Sequence, residues 1–226
     1  MKLHVKRVEL KYEISQQEMV LLRSRLDKVM KKDNHSIHGA YLIRSLYFDN
    51  KSNRSFFDKE GGIDERQKYR LRIYDFNREL IKFEIKHKLN DMIWKDGTTI
   101  KREDCEAVMR GEYDPLLQYN DRTLNRVYYE FKRDYYQPVV VVEYRREAYL
   151  LSYNNIRVTF DTRLKKSGNV QSFFDPDLVT VPVLQDFYVI MEIKYDHFFP
   201  RWLDKVLEGF RYLRCANSKY CLARLI

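Results

Sequence analysis

Charged and apolar residues alternate along segment after segment of this chain. In Tyr69-Arg70-Leu71-Arg72-Ile73-Tyr74, Arg70 and Arg72 fall on one side and Leu71 and Ile73 on the other. Ile81-Lys82-Phe83-Glu84-Ile85-Lys86 repeats the arrangement, with Lys82, Glu84 and Lys86 set against Ile81, Phe83 and Ile85. Successive side chains of a strand point to opposite faces, so each segment offers a charged stripe backed by an apolar one. One such strand is an ordinary solvated edge. Their recurrence points to a sheet whose charged face has a purpose.

The remaining segments fill in the architecture. Val5 to Ile14 reads as a strand with Arg7, Glu9, Lys11 and Glu13 on one face. Ser15 then caps a helix, with Glu18 completing a capping box and Val20, Leu21, Leu22, Leu26 and Val29 as its apolar face. That helix is expected to end near Lys31-Lys32. Strands are expected at 41–49, 69–74, 81–86, 95–100, 138–151, 156–161 and 188–195. Helices are expected at 102–109, between 115 and 132, at 200–212 and at 218–225, with a short helix or turn at 52–60. Hairpin-linked strands with helices at intervals indicate an α+β protein on a mainly antiparallel sheet. If the sheet closes, its charged stripes can face inward; polar-out alternation on an open sandwich is the ordinary arrangement.

At 226 residues the chain can bury a substantial core, and its seven glycines and five prolines are scattered, so no linker stands out. The formal net charge of +9 favours an anionic partner: nucleic acid, a membrane surface, or a phosphorylated molecule or polymer. No RNA-recognition motif, zinc-finger spacing or base-reading basic helix supports nucleic acid. Cys105, Cys215 and Cys221 lack metal-ligand spacing and read as free thiols of a reducing compartment. His4, His35, His38, His87 and His197 show no ligand spacing either. The longest β-branched run, Val139 to Val142, is far too short for a membrane span, and the Lys-rich start leads into no signal-peptide core. These features predict a soluble, cytoplasmic protein.

The charged stripes also carry a resemblance. Segments RVELKY (7–12), SLYFDN (45–50), KYRLRIY (68–74), FEIKHK (83–88), VVVEYRREAY (140–149), IRVTFDTRL (156–164), MEIKYD (191–196) and SKYCLA (218–223) resemble, in order, a VTC domain. This is the polyphosphate polymerase domain of the vacuolar transporter chaperone family, within the triphosphate tunnel metalloenzymes. The resemblance spans the whole chain and implies one domain over residues 1–226: a closed, mainly antiparallel barrel whose basic tunnel threads a phosphate chain.

By motif, the resemblance implies that Lys11, Arg70, Arg72, Lys86, Arg145 or Arg146, Arg157, Lys194 and Lys219 grip phosphate. Of these, Lys11, Arg70, Arg72, Lys86, Arg157 and Lys219 would also serve catalysis. Glu192 would hold Mn²⁺ or Mg²⁺, with Glu9, Glu84 and Glu143 orienting the bases or assisting the metal. Parity with Glu143 favours Arg145 over Arg146 as the inward residue. The implied reaction transfers the γ-phosphate of ATP to inorganic polyphosphate, with a membrane partner possible. Alternatives are an inorganic or nucleoside triphosphatase of the same fold, and a non-catalytic polyphosphate-binding module. One departure is informative: the triphosphatase and cyclase branches begin with Glu-x-Glu-x-Lys, and here the stretch is Arg7-Val8-Glu9-Leu10-Lys11. The exchange of an acid for a base weakens the hydrolase and cyclase readings.

Overall fold

The computed structural model describes residues 7–36, 39–77, 79, 81–90, 92–185, 187–209, 213–216 and 218–225. His4 and His38 lie outside them, as does the end of the helix expected at 200–212. The strands are β1 (Arg7–Ser15), β2 (Lys31–Lys32), β3 (Tyr41–Asp49), β4 (Arg66–Tyr74), β5 (Ile81–Leu89) and β6 (Met92–Ile100). They continue with β7 (Gln137–Leu151), β8 (Ile156–Ser167), β9 (Val181–Pro182), β10 (Tyr188–Asp196) and β11 (Leu213–Arg214). The helices are α1 (Gln16–Leu26), α2 (Arg54–Glu60), α3 (Arg102–Met109), α4 (Arg122–Asp134), α5 (Arg201–Leu207) and α6 (Lys219–Leu225).

All strands join one antiparallel sheet in the order β11-β1-β10-β8-β7-β3-β4-β5-β6, with β2 added to β7 and β9 to β8. This order is a path with two ends. A closed ring of backbone pairing, as the resemblance implied, is therefore not completed among the described residues. The sheet nonetheless curls, bringing Cα atoms of β1 and β6 within 8 Å of each other. Lys86 of β5 reaches Glu9 of β1 at 3.0 Å, so an ion pair spans the seam where no ladder does.

The curl decides which face is inside. Leu46, Phe48, Tyr69, Leu71, Ile73, Phe83 and Ile85 face outward from the curl and pack under α3 and α4, with Val108, Leu124, Val127 and Phe131. Val158, Phe160, Met191 and Ile193 pack under α1 and α5, with Met19, Leu22, Leu26, Leu203 and Leu207. Because helices cover the apolar face, the alternate charged residues are left to line the inner one. There α6 lies over a smaller apolar cluster, its Tyr220, Cys221 and Ala223 packing with Ile43, Tyr47, Val142, Tyr144 and Ile190.

Several local expectations are corrected. Helix α1 has the expected capping box, with the Ser15 hydroxyl accepting from the Glu18 amide. Its buried residues, however, are Met19, Leu22 and Leu26, and Val20 and Leu21 are exposed. Spacing of three and four residues from Met19 fits one helix face, whereas consecutive apolar residues cannot share one. The helix stops at Leu26, and Lys31-Lys32 pairs with Tyr149 and Leu150 as a strand. The region from 115 to 132 is split. A 3₁₀ segment, Asp114–Tyr119, ends with Asn120 in the left-handed region at φ 46°, and Asp121 then caps α4 through the amides of Thr123 and Leu124.

Candidate functional site

The inner face gathers acidic hubs, each ringed by bases. The Glu84 side chain on β5 is 1% exposed and accepts from Arg70 of β4 at 2.7 Å and from Lys95 of β6 at 2.6 Å. Arg72 stands 3.7 Å from the same carboxylate. Gly97 on β6 lies opposite Glu84, and a Cβ there would stand 3.0 Å from the Phe83 carbonyl, a tight contact that glycine avoids.

A second hub joins β1 and β10. Glu9 takes Lys86 at 3.0 Å and Lys11 at 3.2 Å. Glu192 takes Lys194 at 3.1 Å and Arg146 at 3.5 Å. Asp161 on β8 is the third hub: its side chain is 0% exposed, bound by Arg146 at 2.6 Å and by Lys219 of α6 at 2.5 Å.

Burial and charge together set the ionisation. Burial and Glu192 both push the Glu9 pKa up, and Lys86, Lys194 and Lys11 outweigh them, so it ends lowered. Glu192 is likewise held well below the usual carboxylate range: burial opposes this, and Lys194 and Lys11 prevail. Burial also works against Arg70, yet Tyr47 and Glu84 raise its pKa. Lys86 goes the other way. Burial, partly offset by Glu9 and reinforced by Lys11 and Lys194, brings it down to about 7.

Lys11, Arg70, Arg72, Lys86, Arg146, Lys194 and Lys219 are thus brought together around Glu9, Glu84, Asp161 and Glu192. The bases outnumber the acids, and burying like charges is costly without a compensating anion. Arg157 sits at the rim, a third exposed, bonded to Asp33 at 2.8 Å and to the Tyr41 hydroxyl at 3.1 Å. The preference for Arg145 is corrected. Glu143 and Arg145 do share a face, but it is the outer one: Glu143 pairs with Arg44 at 2.7 Å, and Arg145 is exposed. Arg146 faces inward. Parity misled because Val139 to Val142 is apolar on both faces and marks neither side as core.

Further residues share the inner face without having been singled out. Lys68 donates to the Ser218 hydroxyl at 2.6 Å. The Tyr47 hydroxyl accepts from Arg70 at 3.2 Å, and the Tyr144 hydroxyl accepts from Arg72 at 3.4 Å. Lys68 keeps the parity of Arg70 and Arg72, so strand alternation alone would have found it. Lys95 was hidden because β6 is polar on both faces.

The carboxylates of the inner face are its candidate ligands for a divalent cation. Among the described residues no three His, Cys, Asp or Glu side chains cluster. Glu9 and Glu192 interact electrostatically, and both are held ionised, giving hard oxygen donors of the kind Mg²⁺ and Mn²⁺ take. Such a pair would leave most of a cation's positions to substrate oxygens and water. No helix among the described residues is long and apolar enough to cross a membrane.

Comparison with known proteins agrees with this layout. Solved structures similar to the chain include a candidate adenylyl cyclase from Hippeastrum, described as having a dominant triphosphatase activity. It shares 16% identity over 97% of this chain and 95% of its own, with a TM-score of 0.58. A candidate adenylate cyclase from Bacillus halodurans shares 11% identity over 90% of this chain and 88% of its own, with a TM-score of 0.51. At such identities the likeness establishes the fold alone. Comparison with curated proteins finds no match. The family model of the VTC domain matches residues 6–226, every strand that carries an inward base included. With the fold, the order of its charged strands and this match in accord, the chain belongs to the VTC domain family.

Proposed function

We propose that this chain is a metal-dependent polyphosphate polymerase that transfers the γ-phosphoryl group of ATP to a polyphosphate chain held inside the curled sheet. One observation carries the reading: the inner face of the curled sheet, buried at its acidic hubs and half-buried at most of its bases, holds more bases than acids. A polyanion is the ligand that balances such an interior. The curled sheet acts as a tunnel, its seam bridged by Lys86 and Glu9.

Phosphoryl transfer spreads charge over the equatorial oxygens in a loose transition state, so the protein mainly positions and neutralises. In this reading Arg70, Arg72 and Arg146 bind phosphate oxygens through forked donors. Lys11, Lys86, Lys194 and Lys219 add point charges, and Arg157 meets the incoming substrate at the rim. Glu84 and Asp161 fix the guanidinium groups before substrate arrives. The attacking oxygen of a terminal phosphate is already anionic, so no protein base is needed. Glu192, with Glu9 beside it, would hold the divalent cation, which when bound supplies Lewis-acid neutralisation of the phosphate oxygens. We place the enzyme in the cytoplasm, with any membrane translocation left to a partner.

Hydrolysis of a triphosphate is the second reading, supported by the activity described for the Hippeastrum protein. Arg7 in place of an acid at the start of β1 argues against it.

Thermal denaturation tests the shared premise. Tripolyphosphate at a hundred times its Kd contributes ~2.7 kcal/mol, which corresponds to a rise of roughly 5–10 °C for a domain of this size. No rise would exclude a cationic phosphate site.

Lys86 gives the site a pH signature. With its pKa at about 7 in the empty protein, a bound polyanion favours the protonated amine and raises that value. Binding then takes up a proton, and affinity falls as pH rises above 7, by at most about ten-fold per unit. Titration calorimetry in buffers of different ionisation enthalpy reads the uptake directly, after the ligand's own protonation is subtracted. Lys86→Arg, always charged, should abolish it; an unchanged uptake would assign the proton elsewhere.

A further inference from the structure

Three aromatic rings gather at the end of the interior away from α6. Strand β4 runs from Lys68, which touches Ser218 beside α6, to Tyr74, a span of about 20 Å at strand rise. At the Tyr74 end the ring centroids of His35 and Tyr41 lie 5.6 Å apart, those of Tyr41 and Tyr74 6.2 Å, and those of His35 and Tyr74 6.4 Å. Tyr41 is buried, Tyr74 half-buried and His35 exposed, so the group stands where the interior meets solvent.

The rings continue the row of bases. Tyr74 follows Arg72 on the same strand face, and the Arg72 guanidinium carbon is 6.0 Å from its centroid. Lys82 stands 5.9 Å from the same ring. Arg157, at the rim, donates to the Tyr41 hydroxyl. Holding a phosphate chain requires none of these rings. The planes of His35 and Tyr74 are inclined by only 17°, with their centroids 6.4 Å apart. All three centroid distances fall within the roughly 4.5–7 Å of contacting aromatic pairs, so the rings pack as one group at the mouth.

We propose that His35, Tyr41 and Tyr74 form a stacking platform for the base of a nucleoside triphosphate whose phosphates pass Arg72 and Arg157 into the interior. This rests on the phosphate-binding reading above and adds to it. The base stays at the mouth, and the γ-phosphate points inward towards Arg70. Stacking engages the π-face common to all bases, so ATP and GTP bind with similar affinity, and both bind more tightly than their triphosphate charge alone provides.

The test is calorimetric titration of the full chain with ATP, GTP and tripolyphosphate, in the wild type and in His35→Ala, Tyr74→Leu and Tyr74→Phe. Loss of one ring should lower the ratio of ATP to tripolyphosphate affinity roughly five- to ten-fold, since base–aromatic stacking has about that strength. Tyr74→Phe keeps the ring and should keep the ratio. Because His35 is exposed, His35→Ala stays informative if Tyr74→Leu misfolds. An unchanged ratio, or equal losses for both ligands, overturns the platform. A wild type that binds tripolyphosphate but not ATP also overturns it while leaving the cationic interior standing. Binding of neither ligand removes the phosphate-binding reading and the platform together.

Discussion

Replacing Arg70 and Arg72 together by alanine should weaken tripolyphosphate binding by roughly 10²–10⁴-fold and remove most of the ligand-induced rise in melting temperature. The magnitude follows from charge-assisted hydrogen bonds, each contributing roughly 1.5–3 kcal/mol, with about 1.4 kcal/mol per factor of ten. Both guanidinium groups stand at the Glu84 hub on the inner face, and Arg72 is buried. Glu84 retains Lys95 at 2.6 Å, so the double variant is not left with an unpaired buried carboxylate. The apolar residues of β4, Tyr69, Leu71 and Ile73, remain in the outer core. The fold should therefore persist, and circular dichroism would confirm it. A ligand-induced shift that survives in a folded double variant would place the phosphate site elsewhere.

The second large effect separates binding from turnover at Glu192. Its carboxylate opposes the bound polyanion and is held ionised by Lys194 and Lys11 against burial. Glu192→Gln removes a negative charge from a basic interior, so metal-free tripolyphosphate should bind as tightly as in the wild type or more tightly. Turnover of ATP with Mn²⁺ or Mg²⁺ should fall by at least about a hundred-fold, because metal neutralisation supplies several kcal/mol of transition-state stabilisation. Titration calorimetry and steady-state rates measure the two halves on one preparation. Parallel losses of binding and rate would make Glu192 a structural partner of Lys194. Full turnover in the variant would remove it from the metal site.

Strand alternation made much of this fold readable. The stripes at 70–72, 82–86, 157–161 and 192–194 are period-two patterns, and each is found on a strand with its charged side inward. Alternation cannot say which face is inside, because a solvated sheet and a curled one follow the same rule. That decision lies in how the helices cover the apolar face and in the approach of β1 to β6, contacts distant in sequence. The same gap explains Arg145 and Arg146: the apolar run before them is buried on both sides and carries no parity signal. In α1 the expected apolar face included Val20, Leu21 and Val29, which are exposed, and left out Met19, which is buried with Leu22 and Leu26 at helical spacing. Tyr47 and Tyr144 were missed because a tyrosine on a strand reads equally well as packing. Their bonds to Arg70 and Arg72 appear only once β3, β4 and β7 lie side by side.

Polymerase, hydrolase and binding module share this interior and differ in where the phosphoryl group goes. The decisive measurement is incubation of the purified protein with ATP and Mn²⁺ or Mg²⁺, with products resolved on a gel that displays polyphosphate. The account predicts a ladder of long, metal-dependent chains that disappears in Glu192→Gln. Orthophosphate released without chains, or no consumption of ATP at all, would contradict it.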